Sequence, residues 1–234
     1  MNLLLLEEHE LVGNRARVDG RRRDHLADVL RVDGGDAVRV GVMGGACGTA
    51  RVVNINDKDA ELEVTLDQSP PAPLPCTLIL SLQRPHTLGK VLQAATAMGV
   101  KRLFLLGGAR VEKSYWQSRI MAEAELRRHL VLGLEQARDT ILPVIEQRKL
   151  FRPFVEDELP LLLKDAVGLV AHPGTGQACP SAVEGPVVLA IGPEGGYTDF
   201  ELDLMGTAGL RSVALGVRPL RTEHAVPALL GRIF

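Results

Sequence analysis

A strand, a glycine-rich loop and a helix start follow one another in the stretch Leu189-Ala190-Ile191-Gly192-Pro193-Glu194-Gly195-Gly196-Tyr197-Thr198. The apolar, β-branched run from Val187 to Ile191 predicts a buried strand. After the loop, Thr198 and Glu201 have the spacing of a capping box, which predicts a helix N-terminus. Ligands of open α/β sheets bind where strands end in this way. The stretch therefore predicts an α/β fold with a ligand-binding loop after this strand.

The composition of this loop limits what it can bind. The chain has neither G-x-G-x-x-G nor Gly-Lys-Ser/Thr, and the carboxylate of Glu194 would repel a phosphate. We therefore expect a neutral or cationic ligand rather than a nucleotide phosphate. For this motif alone, the alternative is a tight turn that needs glycine only for its backbone angles.

A second segment of the same kind is Leu215-Gly216-Val217-Arg218-Pro219-Leu220-Arg221-Thr222-Glu223-His224-Ala225. It comes after a strand-like run at 212–215 and leads towards a helix, with Thr222 as the expected N-cap. Two loops on successive strands would form two walls of one pocket. We therefore expect one binding site that both loops share.

Both loops resemble the motifs of the RsmE family of SPOUT methyltransferases, G-P-E-G-G-F/Y and L-G-x-R-x-L-R-x-E-T-A. Residues 192–197 match the first motif, and the second is matched in register by Leu215, Gly216, Arg218, Leu220, Arg221, Glu223 and Ala225. The resemblance extends over nearly the whole chain through His25-Leu26-Ala27-Asp28-Val29-Leu30-Arg31, Gly35-Asp36 and Glu135-Gln136. The departures from the family pattern are Ala94 and Ala97 in place of Lys and Glu, Val217 in place of Pro, His224 in place of Thr, and Pro227 within an expected helix.

This resemblance implies an S-adenosylmethionine-dependent enzyme that methylates N3 of a uridine in small-subunit (16S) ribosomal RNA. It also implies an α/β, SPOUT-type fold, in which a small PUA-like β-barrel precedes a mostly parallel sheet with a C-terminal trefoil knot. The expected partners are ribosomal RNA or the small ribosomal subunit and a second copy of the chain in a homodimer. The alternatives are a SPOUT methyltransferase that acts on another RNA or atom, and a non-catalytic RNA-binding ribosome-assembly factor.

The sequence pattern changes along the chain. Alternating runs at 36–42, 48–55 and 60–66 predict a small antiparallel barrel in residues 1–67, with one helix near 22–30. The proline-rich residues 68–75 predict an extended linker. In residues 76–234, expected strands alternate with helical segments, which predicts a mostly parallel sheet. The expected strands are 77–82, 101–106, 167–171, 187–191 and 212–215, and the expected helices include 88–98 and a long one over 115–137.

A glycine-lined pocket would let main-chain groups recognise the adenine of S-adenosylmethionine while apolar side chains flank the ring. Ile191, Leu215 and Leu220 are placed for the apolar contact, and residues 171–174 resemble a third loop of the family's pocket. His172 alone is more often an ordinary surface histidine. The cofactor-binding residues expected from both lines of reasoning are Ala171, His172, Gly174, Ile191, Gly192, Gly195, Gly196, Leu215, Gly216, Leu220 and Thr222.

The candidate catalytic residues are Arg221, Arg218 and Glu194. Methylation of uridine at N3 requires loss of the N3 proton, and a fixed guanidinium would stabilise the anion that spreads onto O2 and O4. Arg221 is favoured because it aligns with an arginine of the family motif, whereas Arg218 could equally hold an RNA phosphate. Glu194 and Glu223 could brace the loop, pair with Arg221 or accept a proton, and bracing is favoured.

The candidate RNA-binding residues lie in the N-terminal part of the chain: Arg15, Arg17, Arg21, Arg22, Arg23 and Arg31. A solvated charged face is the alternative for such a cluster. The net charge of −2 excludes a uniformly basic nucleic-acid binder, so any RNA affinity must come from a local patch.

Composition limits cofactors and location. Cys47, Cys76 and Cys179 are far apart and show no metal-ligand spacing, so we expect reduced thiols, no metal and a cytoplasmic protein. The opening apolar run is too short for a signal peptide, and no apolar stretch reaches membrane-spanning length, so we expect no membrane association. An apolar C-terminal segment with Val226, Leu229, Leu230, Ile233 and Phe234 would suit docking on a partner, or equally on its own domain.

Overall fold

The chain divides into two structural units in the computed structural model, which describes residues 2–234. The first unit comprises residues up to 72 together with 131–142, and the second comprises 73–130 and 143–234. Residues 131–142 belong with the first unit because Leu134 packs with Leu3 and Leu5 in one apolar cluster. The sequence boundaries, 1–67, 68–75 and 76–234, place this segment in the C-terminal domain instead.

The first unit is built on a six-stranded sheet in the order β1-β4-β5-β6-β3-β2. Its strands are β1 (Leu4–Leu6), β2 (Leu11–Val12), β3 (Arg15–Asp19), β4 (Ala37–Val42), β5 (Cys47–Ile55) and β6 (Asp59–Gln68). Buried and exposed residues alternate along β3 and through most of β5, as expected for strands with one face on a core. Helix α1 (Gly20–Asp24) continues as a π-helical turn over His25–Leu30, and Leu26 is buried in the core.

The three alternating runs expected in this unit are confirmed as β4, β5 and β6, and the helix near 22–30 is also present. The expectation of purely antiparallel pairing is wrong at one place, because β1 pairs with β4 in parallel. All three residues of β1 are buried. A continuous apolar run of this kind carries no alternation that could have marked it as a strand.

The second unit has a six-stranded sheet in the order β12-β10-β11-β7-β8-β9, and every pair in it is parallel. Its strands are β7 (Cys76–Ser81), β8 (Arg102–Leu106), β9 (Val144–Arg148), β10 (Val167–Ala171), β11 (Val187–Ile191) and β12 (Arg211–Val213). The expected parallel sheet is therefore confirmed. Strand β9 was not expected, because it is a sheet edge whose polar residues, such as Glu146 and Gln147, give no apolar run.

The helices of this unit are α2 (Pro85–Ala97), α3 (Glu123–Ala137, which continues into the first unit), α4 (Phe151–Pro153), α5 (Leu159–Leu162), α6 (Asp199–Thr207) and α7 (Thr222–Ile233), with a π-helical turn at Phe154–Glu158. The single helix expected over 115–137 is wrong. Two 3-10 turns, Lys113–Gln117 and Arg119–Met121, precede α3, because Ser118 and Ala122 adopt extended backbone angles. No helix within residues 2–234 is both long and apolar enough to span a membrane.

Candidate functional site

The first glycine-rich loop joins β11, which is buried along its whole length, to α6. The expected capping box is confirmed: the Thr198 hydroxyl accepts from the Glu201 N–H at 3.3 Å, and Glu201 Oε2 accepts from the Thr198 N–H at 2.8 Å. Glu201 Oε1 also accepts from the N–H of Ala109 at 2.8 Å, so this buried carboxylate ties the loop after β8 to the same helix. The loop therefore leaves the sheet in a fixed direction.

Contacts with neighbouring segments hold this loop. Glu194 Oε1 accepts from the backbone N–H of Arg84 at 3.0 Å, a contact of the kind that the bracing interpretation of this carboxylate predicts. Arg110 Nη1 donates to the carbonyl of Gly195 at 2.6 Å. A Cβ at Gly192 would lie 3.2 Å from the buried ring of Tyr197, and Gly196 has a φ of +70°, which side chains other than glycine rarely adopt. Glycine at 192 and 196 thus serves packing and backbone geometry.

The second loop runs from the end of β12 to α7, and here one prediction is wrong. Arg221, not Thr222, is the N-cap residue, and Thr222 is the first residue of the helix. The Thr222 hydroxyl does not cap because it donates to the side-chain oxygen of Gln83 at 2.9 Å. The helix continues through Pro227 to Ile233.

A pocket opens where β10 and β12, which are neighbours in the sheet, come to an end. It brings together five of the expected cofactor residues and one candidate catalytic residue: Ala171, His172, Leu215, Gly216, Leu220 and Arg218. Leu215 and Leu220 are 39% and 45% exposed, so the pocket offers apolar side chains that the protein itself leaves uncovered. The enclosed space measures only about 50 Å³, so a flat ring such as adenine would lie against these side chains rather than inside a closed cavity.

The remaining expected residues are not among those that line this pocket. Ile191 ends β11, which pairs directly with β10, and Gly192, Gly195 and Gly196 follow it. A Cβ at Gly174 would lie 2.9 Å from His172 Nε2, so glycine at this position leaves room for the imidazole ring of His172. Arg221 is exposed at the start of α7.

Gln83, which was not among the expected site residues, connects the two loops. Its side chain is fully buried; Nε2 donates to the carbonyls of Gly192 at 2.9 Å and Ser81 at 2.6 Å, while Oε1 accepts from Thr222. One amide thereby fixes the end of β7, the first loop and the start of α7. The available signal in the sequence is that Gln83 is the first long polar side chain after the apolar run of β7.

Ionisation in this region depends on burial and local charge. Burial raises the pKa of the Tyr197 hydroxyl, so the phenol stays neutral beneath the loop. A hydrogen bond from its own backbone N–H, followed by the charges of Lys90, His224 and Arg221, lowers the pKa of Glu223. A carboxylate with a lowered pKa is a weak proton acceptor, so this observation disfavours Glu223 as a general base.

Four of the six candidate RNA-binding arginines have carboxylate partners in the first unit. Arg21 makes a two-pronged contact with the buried Glu135, at 2.7 and 3.0 Å, and Arg22 makes one with Glu10. Of the other two arginines, Arg17 pairs with Asp59, and Arg23 pairs with both Asp24 and Asp57. Arg15 and Arg31 are exposed and have no ion-pair partner among residues 2–234.

The three cysteines are buried and form no disulfide, and burial raises the pKa of the Cys76 thiol to about 12. Within residues 2–234, no three His, Cys, Asp or Glu side chains are grouped so that they could hold a metal ion.

Comparison with known proteins places this chain in a family. The profile of the RNA methyltransferase domain matches residues 70–234. Ribosomal RNA small subunit methyltransferase E of Treponema pallidum is 30% identical over 97% of this chain and 88% of its own length, and that of Synechocystis is 30% identical over 89% and 69%.

Solved structures show the same fold. Ribosomal RNA small subunit methyltransferase E from Neisseria gonorrhoeae, bound to S-adenosyl methionine, has a TM-score of 0.72 at 24% identity and covers 98% of this chain and 95% of its own. A Legionella pneumophila protein in complex with the same cofactor has a TM-score of 0.75 at 20% identity, with the same coverage. Matching sequence over most of the chain and matching fold agree, and the chain belongs to the ribosomal RNA small subunit methyltransferase E family of RNA methyltransferases.

Proposed function

We propose that this protein transfers a methyl group from S-adenosylmethionine to N3 of a uridine in 16S ribosomal RNA. Its family membership supports the reaction class, since its relatives are named as small-subunit ribosomal RNA methyltransferases. The observation that carries the proposal is the pocket formed by two of the three expected loops, with Arg218 in its wall.

The residues that would hold the cofactor fit its chemistry. The exposed apolar side chains of Leu215 and Leu220 would flank the adenine, and the ends of β10 and β12 would supply main-chain donors and acceptors. Gly216 has open space where a side chain would stand, so a ligand could approach its backbone. When bound, S-adenosylmethionine supplies an electrophilic methyl group on a positively charged sulfur.

The arginines of the second loop are the candidate catalytic groups. Loss of the N3 proton leaves a uridine anion, and a fixed positive charge lowers the energy of the transition state that leads to it. Arg221 is at the N-cap of α7, whose first turn is anchored by the bond between Thr222 and Gln83. This anchoring fixes the backbone that carries Arg221, whose exposed guanidinium would take its final position against the bound RNA, whereas Arg218 would contact cofactor or RNA from the pocket wall. Glu194 already braces the first loop, so we assign it a positioning role.

The finer features of the fold belong to the same proposal. We infer a trefoil knot in the C-terminal part, a PUA-like barrel in the first unit, and domains at 1–67 and 76–234 joined by the segment 68–75. The six-stranded order of the first unit, with antiparallel pairing around β5 and β6, is compatible with a small barrel. A ribosomal RNA substrate would place the protein in the cytoplasm.

A homodimer is also proposed, but its support lies in the second loop rather than at the C-terminus. Val226, Leu229, Leu230 and Ile233 are buried within their own chain and leave no apolar face for a partner; of that segment's five apolar residues, Phe234 alone is exposed, at 37%. Val217, in contrast, is 93% exposed beside the cofactor pocket, where a second subunit could cover it. Light scattering that gives the mass of a single chain at micromolar concentration would contradict the dimer.

RNA binding by the first unit is proposed for Arg15 and Arg31, which are exposed and unpaired among the described residues. Arg17, Arg21, Arg22 and Arg23 would reach phosphates only by leaving or sharing their carboxylate partners. We therefore expect these four arginines to contribute less to RNA binding than Arg15 and Arg31. Substitution of Arg15 and Arg31 should then weaken RNA binding most.

The test is identification of the methylated nucleoside. Small ribosomal subunits that lack the modification are incubated with the purified protein and S-adenosylmethionine, and the RNA is digested for mass spectrometry. We expect one N3-methyluridine per subunit, and none when the protein is omitted. A different methylated nucleoside would support a related enzyme with another target, and no methylation of any ribosomal or transfer RNA would contradict the proposal.

A further inference from the structure

A second pocket lies in the second unit and shares no lining residue with the cofactor pocket. It has a volume of about 590 Å³. Its lining residues are Pro85 and His86 at the start of α2, Arg119 and Ile120 in the 3-10 turn before α3, and Glu125, Arg128 and His129 on α3. Binding sites for small molecules and cofactors commonly have volumes of about 300–1,000 Å³. The pocket is therefore large enough for a nucleotide-sized group.

Two arginines in this pocket are held in place by one carboxylate. Arg128 Nε donates to Glu125 Oε2 at 3.0 Å, and Arg119 Nη2 donates to Glu125 Oε1 at 3.3 Å. Two guanidiniums against one carboxylate leave a positive charge. The side chains of Arg119 and Arg128 are 90% and 55% exposed, so most of their N–H donors still face solvent.

The wall beside these arginines is rigid and uncharged. His129 lies so close to α2 that a Cβ at Gly89 would be 2.5 Å from its ring. Its Nδ1 is 2.8 Å from Gln93 Nε2, and its Nε2 is 3.2 Å from Arg128 Nη2. Burial, followed by the charge of Arg128, lowers the pKa of His129. The imidazole is therefore neutral near pH 7 and helps to orient the Arg128 guanidinium.

The pocket also adjoins the first glycine-rich loop along the chain. Pro85 directly follows Arg84, whose backbone N–H is bound by Glu194 of that loop. Glu194 already binds the N-cap N–H and Pro85 has no N–H, so the N-terminus of α2 offers the pocket only the N–H groups that follow Pro85 and a helix dipole partly offset by Glu194. Arginine pairs and a helix N-terminus together are suited to a phosphodiester.

We propose that this pocket binds a phosphate of the RNA backbone and so guides the strand past the first loop towards the methyl-transfer site. The inference rests on the proposed function, since it takes RNA as the substrate. Glu125 accepts from both guanidiniums and therefore competes with the phosphate for them. Removing the carboxylate would therefore strengthen RNA binding, whereas a purely structural ion-pair network would lose stability and gain no affinity.

The test uses Glu125→Gln and two double variants. The double alanine variant carries Arg119→Ala and Arg128→Ala, and the double lysine variant carries Arg119→Lys and Arg128→Lys. Binding of a short uridine-rich RNA is followed by fluorescence anisotropy over a range of salt concentrations. Arg152→Ala is the matched control, because Arg152 also pairs with an exposed carboxylate, Glu156, but lies outside the pocket. Thermal melting verifies that every variant is folded.

We expect Glu125→Gln to bind the RNA several-fold more tightly and the double alanine variant about tenfold more weakly. The alanine variant should also lower the log–log salt slope by roughly 0.7 for each lost contact with a single strand, and the lysine variant should restore most of the slope. The control should match the unaltered protein.

Weaker or unchanged RNA binding in folded Glu125→Gln, or an unchanged salt slope in the double alanine variant, would overturn the inference. Cofactor binding, measured by calorimetry on the same proteins, separates it from the proposed function. Normal S-adenosylmethionine binding and methyl transfer with no effect of these substitutions would overturn the phosphate pocket alone. Absence of cofactor binding in the unaltered protein would instead contradict the proposed function.

Discussion

The two glycine-rich loops of the second unit look equivalent in sequence but differ in what holds them. The first is braced by Glu194 and Arg110 and lies over the buried Tyr197. In the second, residues 215–221 are all exposed, and Val217 is 93% exposed. The first loop is therefore preorganised by its own protein, whereas the second is open to solvent. We infer that the first loop positions rigidly and that the second becomes ordered when a ligand binds.

The largest expected effect in this comparison of the two loops is on the rate of methyl transfer, and it comes from Arg221 in the second loop. Arg221→Ala should lower the single-turnover rate of methyl transfer by about 10²–10³-fold, because it removes the positive charge proposed to stabilise the uridine anion in the transition state. Cofactor affinity should stay within about twofold of normal, because the loss concerns the transition state rather than ground-state binding.

Arg211→Ala, in an exposed position at the start of β12, is the control and should leave the rate unchanged. A near-normal rate for Arg221→Ala at saturating RNA and cofactor would assign the role to another residue, with Arg218 next.

The second prediction concerns the connection between the loops. Gln83→Leu removes the bonds to Gly192 and Thr222 and leaves polar groups unpaired in the interior, so the free energy of unfolding should fall by about 1–3 kcal/mol. Methyl transfer should also slow, because the first turn of α7 loses its anchor. Gln117→Leu, at an exposed position, should change neither quantity in denaturant melts and rate assays. Unchanged stability of Gln83→Leu would refute the connecting role.

The smallest expected effect is a difference in the free energy of unfolding between glycine substitutions in the two loops. Gly196→Ala forces a side chain into a φ of +70° within the braced loop, and should reduce the free energy of unfolding by about 1–2 kcal/mol. Gly216→Ala should cost less, because the φ of +157° at Gly216 is closer to extended backbone and the exposed loop can readjust. Urea unfolding of both variants measures the difference. Equal losses, or a larger loss for Gly216→Ala, would show that the second loop is as constrained as the first.

Local patterns predicted what depends on neighbours in sequence. The bounds of β10 and β11 match the runs 167–171 and 187–191, and the Thr198 capping box forms as expected. Each of these features is decided by apolar pattern or by residues a few positions apart.

Contacts between distant residues could not be predicted in the same way. The Thr222 hydroxyl was expected to cap α7, but its partner Gln83 stands 139 positions earlier in the chain. Arg21 and Glu135 pair across 114 positions, and this pair changes the interpretation of the arginine-rich segment. The packing of the fold decides which distant polar groups form hydrogen bonds or ion pairs. A single sequence carries no local signal for such pairs.

The central claim is that the cofactor binds against the open second loop while the first is already in place. Hydrogen exchange followed by mass spectrometry, with and without saturating S-adenosylmethionine, tests this directly. We expect residues 215–221 to gain strong protection on cofactor binding and residues 192–197 to gain clearly less. Unchanged exchange at 215–221 under saturating cofactor would contradict the account.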